Sequence, residues 1–181
     1  MTADMTILGA PQVTFYVSLQ HDDADFVVDV HDLYPNGDVQ YVQRGLLRAS
    51  MRAVDRARSR PDAIRHLFAK RDPLVPGKVY EIRMSLPPVG AVIRDGHRLE
   101  ITIMAPSPTA QPDWGFQPSG QPGRITVYHD AAHASVLSVP VIPGAKAQGA
   151  APACGSLDFQ PCRAANTIDA LMFIVRPKIV P

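Results

Sequence analysis

The sequence has little of several features from which function is commonly inferred. Its 181 residues contain two cysteines and one tryptophan, and 18 Lys and Arg against 17 Asp and Glu leave a net charge of +1. This balance provides no overall field to attract nucleic acid. The longest apolar run, residues 170–175, is far shorter than the roughly 20 residues of a membrane helix. We therefore expect a soluble protein whose partners include no nucleic acid and no membrane.

The N-terminal residues MTADMTILGAPQ lack the basic segment and the apolar segment that mark a secretory signal peptide. We expect no signal peptide in this chain. Its localisation stays open, although the pair of cysteines indicates an exported parent protein.

Motifs for nucleophilic and phosphate chemistry are also missing. No G-x-S-x-G nucleophile elbow occurs, since Ser50, Ser119 and Ser156 lie in RASMR, QPSGQ and CGSLD. Neither G-x-G-x-x-G nor G-x-x-x-x-G-K is present. We therefore predict that this chain alone has no catalytic residue, no cofactor and no cofactor-binding residue.

The chain is instead rich in proline and in two-residue periodicity. Its 18 prolines are about twice the usual share of ~5%, which favours turns and strand edges over long helices. Alternation of apolar and polar residues predicts strands in residues 11–19, 25–35, 39–45, 78–88 and 99–104. In the first of these segments one face carries Val13, Phe15, Val17 and Leu19.

Two dipeptides typical of hairpin turns separate such segments. Asn36-Gly37 can adopt positive φ at both residues, which predicts a type I′ turn, and Asp95-Gly96 is a second turn of this kind. With strands in residues 123–130 and 135–143 the chain has at least seven short strands and no βαβ alternation. The pattern predicts an all-β fold, an antiparallel β-sandwich or jelly roll spanning residues 1–143, followed by a low-complexity tail at 144–181.

Residues 42–60, VQRGLLRASMRAVDRARSR, contain arginines four residues apart. As one helix they would form a basic stripe suited to a phosphate backbone. Gly45 and the preceding strand argue against a helix, and we predict a strand to about Arg48 followed by an irregular or short helical segment. The later arginines would then lie on a solvated loop, partly offset by aspartates: Arg52, Arg56, Arg58, Arg60 and Arg65.

Two short motifs contain metal-ligand residue types. HDAAH includes His129, Asp130 and His133, but it lies between two predicted strands, so hydrogen bonding within a turn explains it better than zinc. HDDAD (21–25) lacks the glycine and the distal glutamate of a calcium loop, and a polar turn explains it equally well. We predict no metal site.

The two cysteines, Cys154 and Cys162, are eight residues apart. They form a candidate disulfide that would close a small loop in the tail; two reduced thiols are the alternative. Residues 106–123 form a long loop whose Trp114 and Phe116 would either anchor it to the body of the protein or line a groove.

Three longer segments together resemble a known family. They are ADFVVDVHDLYPNGDVQYVQRGLLRAS, LPPVGAVIRDGHRLEITIMAPS and YHDAAHASVLSVPVIP, in this order. They are similar to the C-terminal domain of X-Pro dipeptidyl-peptidases (peptidase S15) and CocE/NonD serine hydrolases, over about Thr6 to Arg163. The segment CGSLDFQPCR also resembles a tail found in a bacterial subgroup of the CocE/NonD group.

The resemblance implies a galactose-binding-like jelly roll packed against an α/β-hydrolase domain that holds the Ser-Asp-His triad. No triad residue has a counterpart here, so none is transferred to this sequence. The resemblance further implies that the first strand or strands of the domain are lacking, and residues 170–177 could form an extra strand at the vacant edge.

Our main hypothesis is therefore a non-catalytic domain of an S15/CocE-type hydrolase. It would buttress the α/β-hydrolase domain and its substrate entrance, in cis or in trans, and could mediate homo-oligomerisation. The alternative is a free-standing carbohydrate-binding module on the same scaffold, with sugars stacked on exposed aromatic rings.

Overall fold

A computed structural model describes residues 1–61, 63–106, 123–165 and 173–175. These residues form strands and a single 3-10 turn at Ala49–Met51, without an α-helix. The predicted all-β fold is confirmed. The strands are β1 Met5–Gly9, β2 Gln12–Leu19, β3 Asp25–Leu33, β4 Val39–Arg48, β5 Tyr80–Ser85, β6 Val89–Ile93, β7 Arg98–Met104, β8 Ile125–Tyr128, β9 Val136–Ser138, β10 Cys162–Arg163 and β11 Phe173–Val175.

The strands pair antiparallel in three sheets. The five-stranded sheet has the order β10-β4-β3-β7-β11, and the two-stranded sheet joins β1 to β6. In the four-stranded sheet β2 is central, with β5 on one side and both β8 and β9 on the other. Both short strands, β10 and β11, come from the segment after residue 144 and pair with the outer edges of β4 and β7.

The two larger sheets enclose one apolar core, as in a β-sandwich. Phe15 of β2 and Phe26 of β3 are both buried, and their rings meet edge to face with centroids 5.3 Å apart. The alternation predicted for these strands is confirmed, because the members of each apolar face are buried together. The core includes Val13, Val17, Leu19, Val28, Val30, Ile82, Met84, Ile101 and Ile103.

Gly45 has a packing role inside β4. A Cβ atom at this position would lie 2.6 Å from Met84 Cε and 3.0 Å from Leu86 Cγ. These residues belong to and follow β5 of the facing sheet, so the glycine lets the two sheets approach closely. Close contact between the two sheets therefore explains why a glycine occurs at position 45.

The predicted type I′ turn at Asn36-Gly37 is wrong. Gly37 has a φ of +91°, but Asn36 does not have a positive φ. The Gly37 N–H donates to the Tyr34 carbonyl at 2.9 Å, and the Tyr34 N–H donates to the Asp38 carbonyl at 2.9 Å. Pro35 restricts φ to negative values, so the connection is a three-residue loop with glycine in the left-handed position.

The turn at Asp95-Gly96 connects different sheets. The His97 N–H donates to the Arg94 carbonyl at 3.0 Å, and Gly96 has a φ of +80°. However, β6 before the turn pairs with β1, whereas β7 after it pairs with β3. The dipeptide therefore makes a corner of the sandwich and does not close a hairpin within one sheet.

The arginine-rich segment leaves the sheet where the sequence indicated. Strand β4 ends at Arg48, and the 3-10 turn is followed by an irregular connection as far as β5. The prediction of a strand and then an irregular segment is confirmed. Within the connection, only isolated bridges such as Val54 with His66 occur among the described residues.

Candidate functional site

A charged layer covers the side of β3 that faces away from the core. Asp29 accepts two hydrogen bonds from the Arg44 guanidinium, at 2.6 and 2.5 Å, and this bonding raises the pKa of Arg44 above its ordinary value. Arg48 donates to both oxygens of Asp25 at 2.7 and 3.1 Å. Because each guanidinium is held by a buried carboxylate, Arg44 and Arg48 are not available to phosphates.

The Arg52 side chain is largely buried, although the sequence predicted that it would be exposed to solvent on a loop. Its side chain is only 13% exposed, it donates to Asp72 at 2.7 Å, and its guanidinium lies over the Tyr80 ring at 4.7 Å. The expectation of solvation was therefore wrong for Arg52, because a carboxylate and an aromatic face together replace water around the cation. By contrast, the Arg58 side chain is 78% exposed, 3.4 Å from Asp55.

Three neighbouring polar atoms in the charged layer are buried and lack a hydrogen-bond partner: His31 Nδ1, Glu100 Oε1 and Thr102 Oγ1. His31 lies opposite Glu100 in the register of β3 and β7, with 3.9 Å between the Nδ1 atom and the carboxylate oxygen. Burial lowers the pKa of His31 to about 4, against the influence of the nearby Asp29 carboxylate. The imidazole is therefore neutral near pH 7.

The neutral His31 makes stability depend on pH. Between pH 6.5 and 4 the unfolded chain binds a proton at this histidine and the folded chain does not, so lowering the pH favours unfolding. We expect the His31 contribution to cost about 2 kcal/mol between pH 7 and pH 5. Urea unfolding of the wild type and His31→Gln at both pH values checks this. An equal loss in both proteins would contradict it.

A second buried pair, Asp32 and His97, was not predicted from the sequence. His97 Nδ1 lies 2.9 Å from both Asp32 oxygens, and the Tyr34 ring lies 4.3 Å from the imidazole. The Met1 amine donates to the His97 carbonyl at 2.6 Å. The two residues are 65 positions apart in the sequence, so no local motif predicts that they form a pair. Their contacts connect the β6–β7 corner to the end of β3 and to the N-terminus.

The HDDAD motif has a structural role through Asp23. Its buried carboxylate accepts from the Ala24 N–H, the Ser50 N–H and hydroxyl, and the Arg71 guanidinium, at 2.7 to 3.0 Å. These donors occupy the oxygens that a calcium ion would need. Asp23 instead connects the start of β3 to the 3-10 turn and to Arg71 within the irregular connection.

The HDAAH motif forms a turn after β8. The Asp130 carboxylate accepts from the backbone N–H groups of Ala132 and His133, at 2.9 and 3.0 Å. The His133 ring nitrogen Nδ1 lies 2.9 Å from the same carboxylate, and its ring contacts Tyr16 and Tyr128. For Asp130 the structure thus has the turn hydrogen bonds that the sequence indicated.

Cys154 and Cys162 are joined by a disulfide bond, with 5.4 Å between their Cα atoms. In the described part of the chain, these sulfurs and the Asp38 carboxylate form the one group of metal-ligating side chains close enough to share an ion. Sulfurs bonded to each other are not thiolates, so this group is not a metal site while the disulfide is intact.

The disulfide leads to a mass prediction. We expect the intact protein, purified without reductant, to be about 2 Da lighter than the reduced protein, because closing the bond removes two hydrogens. Mass spectrometry with and without reductant checks this, and Cys162→Ser serves as a control that shows no such difference. Full reaction of both thiols with iodoacetamide under native conditions, without reductant, would contradict the prediction.

An open cleft of about 360 Å³ lies between the ends of β4 and β5 and the irregular connection. Ser85 and His66 line it, but the Ser85 hydroxyl accepts from the Ile64 N–H at 2.8 Å, and His66 Nδ1 lies 3.1 Å from the Arg52 carbonyl. The Ser85 hydroxyl and His66 Nδ1 are thus committed to backbone groups, whereas His66 Nε2 is buried without a hydrogen-bond partner. The remaining lining is Leu46, Leu47, Asp55, Arg58, Ile64, Arg65, Phe68 and Met84.

Trp114, Phe116 and most of the loop that holds them lie outside the described residues. Among the described residues, no helical segment has the length and hydrophobicity that a membrane crossing requires. The polar clusters that the structure brings together maintain the fold through ion pairs and backbone contacts. Together with the sheet arrangement, these features define a β-sandwich domain.

Comparison with known proteins identifies the domain more closely. The family model of the X-Pro dipeptidyl-peptidase C-terminal non-catalytic domain matches residues 1–138. This chain belongs to that family, as its three longer segments indicated.

The relatives are considerably longer than this chain. "Putative serine esterase Mb1866c" of Mycobacterium bovis is 30% identical over 145 residues, which cover 76% of this chain and 22% of that protein. A CocE/NonD family hydrolase from Staphylococcus aureus has the same fold, with a TM-score of 0.67 at 20% identity over 78% of this chain and 29% of its own. An aminopeptidase from a marine sediment Thaumarchaeota archaeon has a TM-score of 0.58 at 24% identity, covering 78% and 24%.

Proposed function

We propose that this chain serves as the non-catalytic jelly-roll domain of a CocE/NonD-type serine hydrolase. It packs against an α/β-hydrolase domain, in cis or in trans, and buttresses that domain and its substrate entrance. The observation that carries the proposal is the family match over residues 1–138, together with relatives of which this chain spans about a quarter.

The physical character of the sandwich suits a supporting role. Its core is filled by aromatic and branched side chains from both sheets, and one outer face is stabilised by ion pairs between buried carboxylates and guanidinium groups. Such a domain deforms little, because close-packed interiors resist compression. Placed beside a catalytic domain, it would hold loops near the substrate entrance in one arrangement.

The proposal assigns ester or peptide hydrolysis to the partner domain. We expect the purified chain to hydrolyse neither p-nitrophenyl butyrate nor an X-Pro p-nitroanilide, and no serine to react with a fluorophosphonate probe. A full-length CocE/NonD hydrolase is the positive control. Turnover that co-purifies with the chain, or a labelled serine identified by peptide mapping, would overturn the proposal.

A further inference from the structure

The disulfide between Cys154 and Cys162 lies beside the carboxylate that precedes β4. The two Sγ atoms and a carboxylate oxygen of Asp38 all lie within 4.8 Å of one another. In a tetrahedral zinc site with thiolate and carboxylate ligands, the ligand atoms are roughly 3.5–3.8 Å apart. None of the three residues is fully buried, so an ion can reach them from solvent. The group therefore has the dimensions of a zinc site once the sulfurs are not bonded to each other.

The disulfide loop is attached to β4 by hydrogen bonds that do not involve sulfur. On one side of the loop, the Gly155 N–H donates to Gln40 Oε1 at 2.7 Å. On the other side, the Pro161 carbonyl accepts from the Tyr41 N–H at 3.0 Å. Gly155 and Pro161 are the chain neighbours of the two cysteines. Because these hydrogen bonds are present whether or not the sulfurs are joined, the loop should keep its place on β4 after reduction.

The backbone at Gly155 brings the two ends of the loop close together. Gly155 has a φ of +78°, and a Cβ atom at this position would lie 3.0 Å from the Cys162 Cβ. An L side chain here would be both strained and crowded. The Cα atoms of the two cysteines are 5.4 Å apart. The reduced thiols should therefore stay within reach of one ion.

The Asp38 carboxylate is oriented by neutral donors. Its Oδ2 atom accepts from Asn36 Nδ2 at 2.8 Å, and its Oδ1 atom accepts from the Ala165 N–H at 3.3 Å. Neither donor neutralises the charge of the carboxylate. Each carboxylate oxygen has two lone pairs, so one oxygen can accept a hydrogen bond and also bind a cation.

We propose that Asp38, Cys154 and Cys162 form a Zn²⁺ site when the disulfide is reduced. A dithiol reductant breaks the S–S bond and is oxidised to its own disulfide, and each cysteine sulfur takes up a proton. Zinc then forms two Zn–S bonds and displaces both protons. A carboxylate oxygen of Asp38 is the third ligand and water the fourth. Sulfur ligands favour zinc over magnesium or calcium. The ion fastens to β4 the same loop that the disulfide fastens under oxidising conditions.

The test compares zinc binding by the reduced and the oxidised chain, both without an affinity tag. The chain is reduced with dithiothreitol, which is then removed in the absence of oxygen, and zinc affinity is measured near pH 7 by competition with a chromophoric chelator. We expect one zinc ion per reduced chain, bound more than roughly a hundredfold tighter than by the oxidised chain, which has no thiolates. Cobalt(II) in place of zinc should produce thiolate-to-cobalt charge-transfer absorption in the reduced chain alone.

Variants identify the ligands. In the reduced chain, Asp38→Asn should weaken zinc binding at least roughly tenfold, since loss of a residue that only supports a metal ligand can already cost that much. Cys162→Ser should weaken it further and lower the cobalt charge-transfer absorption. Asp158→Asn is the matched control, because Asp158 is an exposed carboxylate in the same loop and outside the group of three. It should change the affinity less than about twofold.

Thermal unfolding is the second measurement. Zinc should raise the Tm of the reduced wild-type chain, because the ion binds the folded state, and should leave the Tm of the oxidised chain unchanged. Each variant is compared with itself with and without zinc, so an unrelated loss of stability does not alter the conclusion.

Three outcomes would overturn the proposal. Equal zinc affinity of the reduced chain, the oxidised chain and Cys162→Ser would mean that other side chains, such as the six histidines, bind the ion. Wild-type affinity in Asp38→Asn would show that the carboxylate is not a ligand. One zinc ion for every two reduced chains would mean that the ion joins two copies.

Discussion

Replacing Asp29 by alanine should lower the free energy of unfolding by about 3–5 kcal/mol. Asp29 is 2% exposed and accepts both hydrogen bonds of the Arg44 guanidinium, whose side chain is 17% exposed. Without the carboxylate, a positive charge remains in a largely water-free position. Urea unfolding near pH 7 measures the effect.

The control for Asp29→Ala is an exposed ion pair in the same protein. Arg83 and Glu81 are 3.6 Å apart, with side chains 52% and 46% exposed, and Glu81→Ala should cost less than about 1 kcal/mol. The double variant with Arg44→Leu should recover much of the loss, since the unpaired charge is then removed. A loss below about 1 kcal/mol for Asp29→Ala, or no recovery in the double variant, would contradict the assignment.

Replacing Phe15 by alanine should also cost about 3–5 kcal/mol, for a different reason. Phe15 has no solvent exposure and packs edge-on against Phe26 between the two larger sheets. Its removal leaves a cavity that neighbours on two sheets can fill only partly. The measurement is the urea midpoint together with the slope, because an unchanged slope shows that the folded state keeps its compactness.

Tyr16 provides the matched control for Phe15. It is the next residue on β2, points to the opposite side and is half-buried, with its ring against His133. Tyr16→Ala should cost clearly less than Phe15→Ala. Equal losses would mean that β2 does not distinguish an inner from an outer face, which would contradict the sandwich arrangement.

The periodicity of the sequence was sufficient to predict most of the strands and the end of β4, but not β1 or β10. Alternation between two faces is a local property, so Phe26, Val28 and Val30 could be assigned to one side without knowledge of their partners. The conformation of the turns was harder to predict from the sequence. At Asn36-Gly37 the preceding proline changed the loop length, and at Asp95-Gly96 the strands belong to different sheets.

The polar clusters could not be predicted from the sequence. Asp32 and His97 are 65 residues apart, and the carboxylate of Asp23 connects Ser50 to Arg71. Each residue alone resembles an ordinary polar position in a strand or turn. The pairs arise only when strands are placed side by side in a particular register.

The sequence by itself determined the all-β class, the family and the absence of the known motifs for bond cleavage, because residue order alone defines alternation and motifs. Only the tertiary structure decided which carboxylate neutralises each arginine and in which order the strands pair within each sheet. The physical reason is distance. Ion pairs, ring contacts and strand edges depend on atoms a few ångströms apart in space, and these atoms come from residues that the chain separates by tens of positions.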